Sequence, residues 1–173
     1  MKKLLIVFLS LTMLLAMAVP AFAYSDTSSC TAAQQSAIKN LTDLKIVGGY
    51  DDNTFRPNAD ITRAEFAKVA VNADVAYTGS EATTQMYFPF TDLTQGAWYD
   101  QWIQNACNRN LLKGYEDNTF RPNADITGNE AVTVVLRMMG YNDSNLSGTW
   151  PANYIAKAKE IGILNNVSLQ NYN

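Results

Sequence analysis

Residues Gly49 to Glu65 read GYDDNTFRPNADITRAE, and residues Gly114 to Glu130 read GYEDNTFRPNADITGNE. Fourteen of the seventeen positions are identical at a spacing of 65 residues. Self-similarity at a fixed period is typical of arrays of one supersecondary unit, in which each unit completes its core against its neighbours. The sequence therefore predicts an array of like modules.

Each copy carries a signal for the start of a helix. Thr62 and Glu65 stand three residues apart ahead of an apolar stripe, and Thr127 and Glu130 repeat this pattern. In a capping box the threonine hydroxyl accepts a hydrogen bond from the glutamate backbone, while the glutamate side chain accepts one from the threonine backbone. We therefore expect all four residues to act as structural caps.

Another helix is predicted before each loop. Apolar residues recur at helical spacing over residues 31–47 and 97–112, and a segment similar to the latter returns at Trp150–Leu164. This predicts a mainly α fold of repeated helix-loop-helix modules packed around a shared helical core, with an incomplete third module. Each unit also opens on an aromatic-x-Asp triplet, at Tyr24–Asp26, Phe90–Asp92 and Tyr141–Asp143.

The beginning of the chain has the three parts of a secretory signal peptide. Lys2 and Lys3 precede an apolar run from Leu4 to Val19, and residues 21–23 form a small-x-small cleavage site. We predict an exported protein with a signal peptide at residues 1–23. The rest then divides into a first repeat with its polar connection at 24–87, a second repeat at 88–141 and a partial third repeat at 142–173.

Charge and composition exclude several functional classes. Two of the 13 basic residues belong to the signal peptide, and the remaining 11 against 16 acidic residues leave a net charge of −5. This balance argues against a general nucleic-acid or anionic-surface binder, because such proteins rely on clustered lysine and arginine. The chain has no histidine, so it offers no Ser-His or Cys-His pair and no histidine zinc site. No enzymatic activity, cofactor or metal site is predicted.

Cys30 and Cys107 are the two cysteines of the chain, and export would bring them into an oxidising environment. They could form a disulfide, or both could be unpaired small residues, because two thiols alone define no spacing framework. The sequence leaves both alternatives open.

The chain resembles the S-layer homology (SLH) module of exported bacterial proteins. It has a helix, a Gly-Tyr-x-Asp-Asn-Thr-Phe-Arg-Pro loop and an Ile-Thr-Arg-Ala-Glu start to a second helix, and Thr62–Glu65 matches the family's signature tetrapeptide. The resemblance implies modules around a pseudo-threefold axis, non-catalytic binding of secondary cell-wall polysaccharide, often pyruvylated, and a location at the cell wall or cell surface. The second tetrapeptide, Thr127–Glu130, lacks the family's arginine. Binding is therefore expected at one groove, around Arg63 of the first repeat.

Arg63 is the first candidate for contact with the polymer. A cation in the first turn of a helix opposes the helix dipole, and such local mismatches tend to mark functional positions. A guanidinium beside free backbone N–H groups would suit a carboxylate or a ketal-linked pyruvate. The alternative is that Arg63 is an ordinary solvated residue.

Four other residues are candidates for the same ligand. Arg56 and Arg121 occupy equivalent loop positions, where an internal ion pair with the aspartate four residues earlier is the favoured role. Trp98 and Trp150 begin equivalent helices, where their rings could stack on sugars or pack within the protein.

The leading hypothesis is a cell-wall-binding protein without catalytic activity. The alternative is an exported structural or adaptor protein that binds another protein chain, either a second copy or another SLH-containing protein. In that case the incomplete third repeat would expose an apolar helix face that needs a partner. We expect no nucleic-acid partner, and no membrane-spanning segment once the signal peptide is removed.

Overall fold

The structure, a computed structural model, describes residues 24–81, 90–165 and 167. These residues are mainly helical, as predicted, and contain no strand beyond one antiparallel bridge between Thr62 and Asp125. No helix in the described ranges is long and apolar enough to cross a bilayer. The predicted signal peptide lies outside the described residues. The helices are α1 (Ala32–Asp43), α2 (Arg63–Thr78), α3 (Asp100–Asn108), α4 (Gly128–Met138) and α5 (Ala152–Glu160).

The described chain forms two compact units. One comprises the residues up to Lys39 together with Gly49–Pro57, and the other comprises Asn40–Gly48 and the residues from Asn58 onward. Within the second unit, α2 packs against α3, α4 packs against α5, and α2 also contacts α4. The α2–α3 pair and the α4–α5 pair each join the helix that follows a loop to the next helix along the chain. The repeats therefore bury their apolar faces against one another, as array proteins do.

Two apolar clusters fill the second unit. The larger lies among α2, α3 and α4 and includes Ile103 and Phe120, which are fully buried. The smaller joins α5 to α4 and is centred on Leu136 and Tyr154. Burying an aliphatic or aromatic side chain of this size stabilises a fold by about 1.5–3 kcal/mol. Together these clusters hold the loop that follows α3 against the starts of α2 and α4.

Both predicted capping boxes form in the structure. The Thr62 hydroxyl accepts a hydrogen bond from the Glu65 backbone N–H at 3.2 Å, and the Glu65 carboxylate accepts one from the Thr62 backbone N–H at 2.9 Å. The Thr127 and Glu130 pair repeats this geometry at 3.3 and 3.0 Å. α2 and α4 therefore begin at equivalent positions of the two repeats.

The caps lead to a first prediction. Thr127→Ala should lower the free energy of unfolding by about 0.5–2 kcal/mol, because it removes the hydroxyl that accepts the Glu130 backbone N–H. Chemical denaturation followed by circular dichroism measures this loss. Thr149→Ala, at an exposed threonine outside any helix cap, is the control and should leave stability unchanged. Equal stability of the two variants would contradict the capping role of Thr127.

The aspartate of each triplet shapes the loop of its own repeat. The Asp26 carboxylate accepts hydrogen bonds from the backbone N–H groups of Phe55 and Arg56 at 2.8 and 2.7 Å. Asp92 makes the equivalent bonds in the second repeat at the same two distances. The bonds from the loop backbone, that from Phe55 above all, lower the pKa of Asp26. They also hold Arg56 at a φ of 58°, a left-handed backbone conformation that residues other than glycine rarely adopt.

The aromatic residue of each triplet explains a glycine in each loop. A Cβ atom on Gly49 would lie 2.3 Å from the Tyr24 ring, and one on Gly114 would lie 2.0 Å from the Phe90 ring. Because these distances are far below van der Waals contact, a side chain at either position would displace the ring. The two rings in turn pack against the loop phenylalanines, with centroids 5.4 and 5.6 Å apart.

α3 is shorter than the predicted helix over residues 97–112. It ends at Asn108 because Asn110 takes a φ of 56°, which turns the chain out of the helix. Lys45 takes a φ of 58° at the equivalent position after α1. The apolar residues that follow Asn110 extend the hydrophobic pattern without extending the helix, so the sequence pattern overestimated its length.

Both cysteines are free thiols in this structure. Cys107 is buried on α3, and burial raises the pKa of its thiol to about 12. Cys30 is half-buried. The Cys107 thiol therefore stays protonated at neutral pH and behaves as a small apolar residue.

Candidate functional site

Arg63 belongs to the first repeat by sequence, but its guanidinium lies in the loop of the second repeat. Nε donates to the Phe120 carbonyl at 2.8 Å, and Nη2 donates to the Lys113 carbonyl at 3.0 Å. Nη1 forms a 2.5 Å ion pair with Oε1 of Glu130. The side chain is only 1% exposed. Three acceptors separated from Arg63 by 50 or more residues thus hold one buried cation.

The start of α2 is likewise occupied by the second repeat. The backbone N–H groups of Arg63 and Ala64 donate to the carbonyls of Ala124 and Pro122 at 2.8 and 3.0 Å. These bonds satisfy the N–H groups that were expected to be free for an anionic ligand. The expectation of an arginine fork beside an open helix start is therefore wrong for α2, because two carbonyls and the Glu130 carboxylate bind the guanidinium and two further carbonyls bind the helix end.

Glu130 is the centre of the same network. Besides capping α4, its carboxylate accepts a hydrogen bond from the Tyr115 hydroxyl at 2.9 Å. Burial, together with this bond, raises the pKa of Tyr115, so its hydroxyl stays a neutral donor. The Arg63 guanidinium also lies 4.6 and 4.7 Å from the ring centroids of Tyr115 and Phe120, within the range of cation–π attraction.

An open cavity of about 750 Å³ lies above this network, within the second unit. Arg63 and Glu130 contribute to its wall, and other residues of the second repeat and of the segment 143–153 surround them. Its cationic lining residues are Arg63, Lys113, Arg121 and Arg137, its acidic ones are Glu116, Asp117, Glu130 and Asp143, and Trp150 and Asn153 complete one side. The cavity therefore combines charged groups of both signs with one indole ring.

Arg121 occupies one side of the cavity in a fixed conformation. Its guanidinium lies 3.9 Å from the Tyr115 ring centroid and forms a 2.9 Å ion pair with Asp117. Hydrogen bonds from the Thr119 hydroxyl and from Arg121 lower the pKa of Asp117 to about 2. The internal ion pair favoured from the sequence is thus present. Arg56 makes the same pair with its own loop aspartate at 2.9 Å in the other unit.

The two candidate tryptophans differ in their surroundings. Trp150 is 52% exposed and lines the cavity, and its indole N–H donates to the Thr133 hydroxyl at 2.9 Å. Trp98 is 55% exposed and packs edge-on against Tyr99, with centroids 5.6 Å apart. Neither Trp98 nor Arg56 is among the residues that line this cavity. The structure therefore brings Arg63, Arg121 and Trp150 together around one cavity, and Trp98 lies outside its lining.

Sequence reasoning assigned no site role to four charged residues of the cavity, Lys113, Glu116, Arg137 and Asp143. Lys113 forms a 3.1 Å ion pair with Asp143, and Arg137 donates to the Leu111 carbonyl at 3.1 Å. The hydrogen bond from the Tyr154 hydroxyl has the largest effect in lowering the pKa of Asp143, and the bond from Lys113 lowers it further. A signal for two of them was present, because the first repeat has Gly48 and Asn72 where the second has Lys113 and Arg137. Such charge differences between otherwise similar repeats indicate a site that only one repeat forms.

Several known proteins similar to this chain are named as surface-layer, cell-wall or anchoring proteins. The model of the S-layer homology domain family matches residues 23–67 and 89–132. Over 99% of its length, the chain is 33% identical to the surface layer protein of Brevibacillus choshinensis and 32% identical to the middle cell wall protein of Brevibacillus brevis. Over 60% of its length it is 37% identical to the cellulosome-anchoring protein of Acetivibrio thermocellus. It spans 16% of the first two relatives and 23% of the third.

Proposed function

Because this chain belongs to the S-layer homology family, we propose that it attaches to the cell wall by holding an acidic secondary wall polysaccharide in the cavity beside Lys113, Arg137 and Trp150. Family membership and the similarity to surface-layer and cell-wall proteins support an anchoring role at the cell surface. The chain is accordingly a secreted, cell-surface protein.

The observation that carries the proposal is the pairing of cations with an exposed indole ring in one cavity. Lys113 is more than half exposed, so its ammonium group can donate to a carboxylate or phosphate without first leaving a buried site. Trp150 presents an apolar face beside it, and its indole N–H is already bound to Thr133. A sugar ring with an anionic substituent fits both groups.

This proposal moves the binding groove from the first repeat to the second. Arg63 is part of the wall through its bonds to the Lys113 carbonyl and to Glu130, and so positions the loop that carries Lys113. The first repeat has the uncharged Gly48 and Asn72 in place of Lys113 and Arg137. We therefore expect one competent site in this chain, built by the second repeat and the partial third.

We also infer that the site binds its ligand without catalysis. Acid-base hydrolysis of a glycosidic bond needs one carboxyl group that stays protonated near neutral pH beside one that is ionised. Asp117, with a pKa of about 2, is ionised, and the pKa of Asp143 is also below its ordinary value. Glu130 is engaged by Arg63 and by the Thr127 backbone. This arrangement favours ionic recognition over proton transfer.

Lys113→Gln tests the proposal directly. Losing a charge-assisted hydrogen bond should weaken binding to purified cell walls by about tenfold, because such bonds contribute about 1.5–3 kcal/mol. Co-sedimentation with walls that retain or lack their secondary polymer measures the effect. Lys159→Gln on α5 is the matched control, because it removes the same charge from an exposed lysine outside the cavity. Equal binding by the two variants, or binding that ignores removal of the polymer, would count against the proposal.

The alternative function, attachment to another protein chain, is supported by an exposed strip on the second repeat, whereas the apolar residues of α5, in the predicted incomplete repeat through which attachment was expected, pack against α4. Val135 and Met139, one turn apart at the end of α4, are 39% and 52% exposed. An apolar strip of this kind suits a protein partner. Sedimentation of the chain without its signal peptide separates the two functions. A monomer that binds walls supports the first, and an obligate oligomer that binds stripped and intact walls equally supports the second.

A further inference from the structure

A second cavity, of about 440 Å³, adjoins the first. The two share three lining residues, Lys113, Arg137 and Asp143. Its remaining wall comes from Arg109 and Asn110 at the end of α3 and from residues 140–144, which follow α4. The polymer site therefore has a neighbouring compartment, and the same three charged side chains border both.

The ion pair between Lys113 and Asp143 stands where the compartments meet. The two side chains are 59% and 56% exposed, and exposed pairs of this kind contribute little to stability. An anionic group of a ligand could thus replace the Asp143 oxygen that faces Lys113 at small cost, while the other oxygen of Asp143 keeps its 2.8 Å hydrogen bond from the Tyr154 hydroxyl. Arg137 is only 13% exposed and is bound to the Leu111 carbonyl, so it stays in place as this exchange occurs.

The charges of the two compartments differ. In the first, Arg63 pairs with Glu130 and Arg121 pairs with Asp117, so these four groups neutralise one another. In the second, Arg109 pairs with Asp74. The charged lining residues that remain are two cations, Lys113 and Arg137, and one anion, Asp143. The second compartment therefore has one surplus positive charge, and the indole ring of Trp150 lies in the first compartment only.

We propose that the two cavities form one groove that binds at least two consecutive sugar residues of an acidic polysaccharide. One sugar ring lies beside Trp150 in the first compartment. The carboxylate or phosphate of the adjacent residue binds Lys113 and Arg137 in the second compartment. It displaces one oxygen of Asp143 from Lys113. This inference rests on the proposed function and adds the minimum length of the ligand and the position of its charge.

Fragment length provides the test. Titration calorimetry with one-residue and two-residue fragments of purified wall polymer should show affinity rising at least about tenfold with the second residue, the gain that one added charge-assisted contact supplies. Ser144→Glu, which places a negative charge in the second compartment, should remove that gain. Ser147→Glu adds the same charge three residues later, at an exposed serine outside the lining of both cavities, and should preserve it. Affinity that is independent of length, or a gain that survives Ser144→Glu, overturns the inference while leaving the proposed function intact.

Asp143→Asn gives an independent measurement. Removing the charge that competes for Lys113 should strengthen binding of the two-residue fragment by up to about fivefold, the range set by an exposed ion pair. Weaker binding would show that Asp143 itself contacts the ligand and would overturn the displacement. If wild type binds no fragment of either length, the proposed function itself fails.

The chemistry of the anion can be read from treated fragments. Mild acid removes ketal-linked carboxylates, and phosphatase removes terminal phosphate groups. Loss of the length-dependent gain after one treatment supports the inference and identifies the anion. A gain that persists after both treatments, and after reduction of uronic acid carboxylates and hydrofluoric acid cleavage of phosphodiesters, shows that no anionic group is involved and overturns it.

Discussion

Arg63→Ala should lower the free energy of unfolding by about 3–5 kcal/mol, the usual cost of removing one partner from a buried ion pair. The change would leave the carbonyls of Phe120 and Lys113 without their donor and the Glu130 carboxylate without its cation. Urea denaturation of the chain without its predicted signal peptide measures this loss. We also expect weaker wall binding under conditions where the variant is folded, because the Lys113 backbone loses its anchor.

Arg56→Ala is the matched control. Arg56 is a loop arginine that also pairs with a carboxylate, but its ion pair with Asp52 is about half exposed on both sides, so the loss of stability should be far smaller. Similar losses in the two variants would refute the structural role assigned to Arg63. An Arg63→Ala protein of wild-type stability that fails to bind walls would instead restore the original hypothesis of direct ligand contact.

Asp92→Ala should have the second largest effect, a loss of about 1.5–3 kcal/mol of unfolding free energy. Its carboxylate accepts hydrogen bonds from two consecutive backbone N–H groups, those of Phe120 and Arg121. Losing these bonds removes the carboxylate that helps to hold the Arg121 backbone at its φ of 60°. Because Arg121 lines the cavity, polymer binding should weaken together with stability.

Asp125→Ala controls for the loss of one negative charge, because Asp125 is an exposed residue of the same loop. Thermal unfolding of the two variants side by side measures the difference. Coinciding unfolding temperatures for Asp92→Ala and Asp125→Ala would show that the loop keeps its shape without the carboxylate. The Asp26→Ala variant extends the comparison to the first repeat, where the same pair of bonds is present.

Much of the fold could be predicted from the sequence because the interactions involved are local. The capping boxes join residues three positions apart, and the loop ion pairs join residues four positions apart. Because nearly the same sequence recurs 65 residues later, each local interaction forms twice. The left-handed residues Asn53 and Asn118, for example, also lie 65 positions apart. A single sequence is enough to recognise such contacts, since their geometry depends on short-range backbone conformation.

The candidate site depended instead on contacts between distant parts of the chain. Arg63 reaches acceptors 50 to 67 residues away, and Lys113 reaches Asp143 across 30 residues. The repeat pattern assigns Arg63 to the first module, whereas the packing of α2 against the next module places its guanidinium in the second. No local propensity encodes that placement, because a side chain at a helix start can point to solvent or into a neighbouring module with the same backbone. The burial of Arg63 and the meeting of Lys113, Arg137 and Asp143 therefore follow from the docking of one repeat on the next.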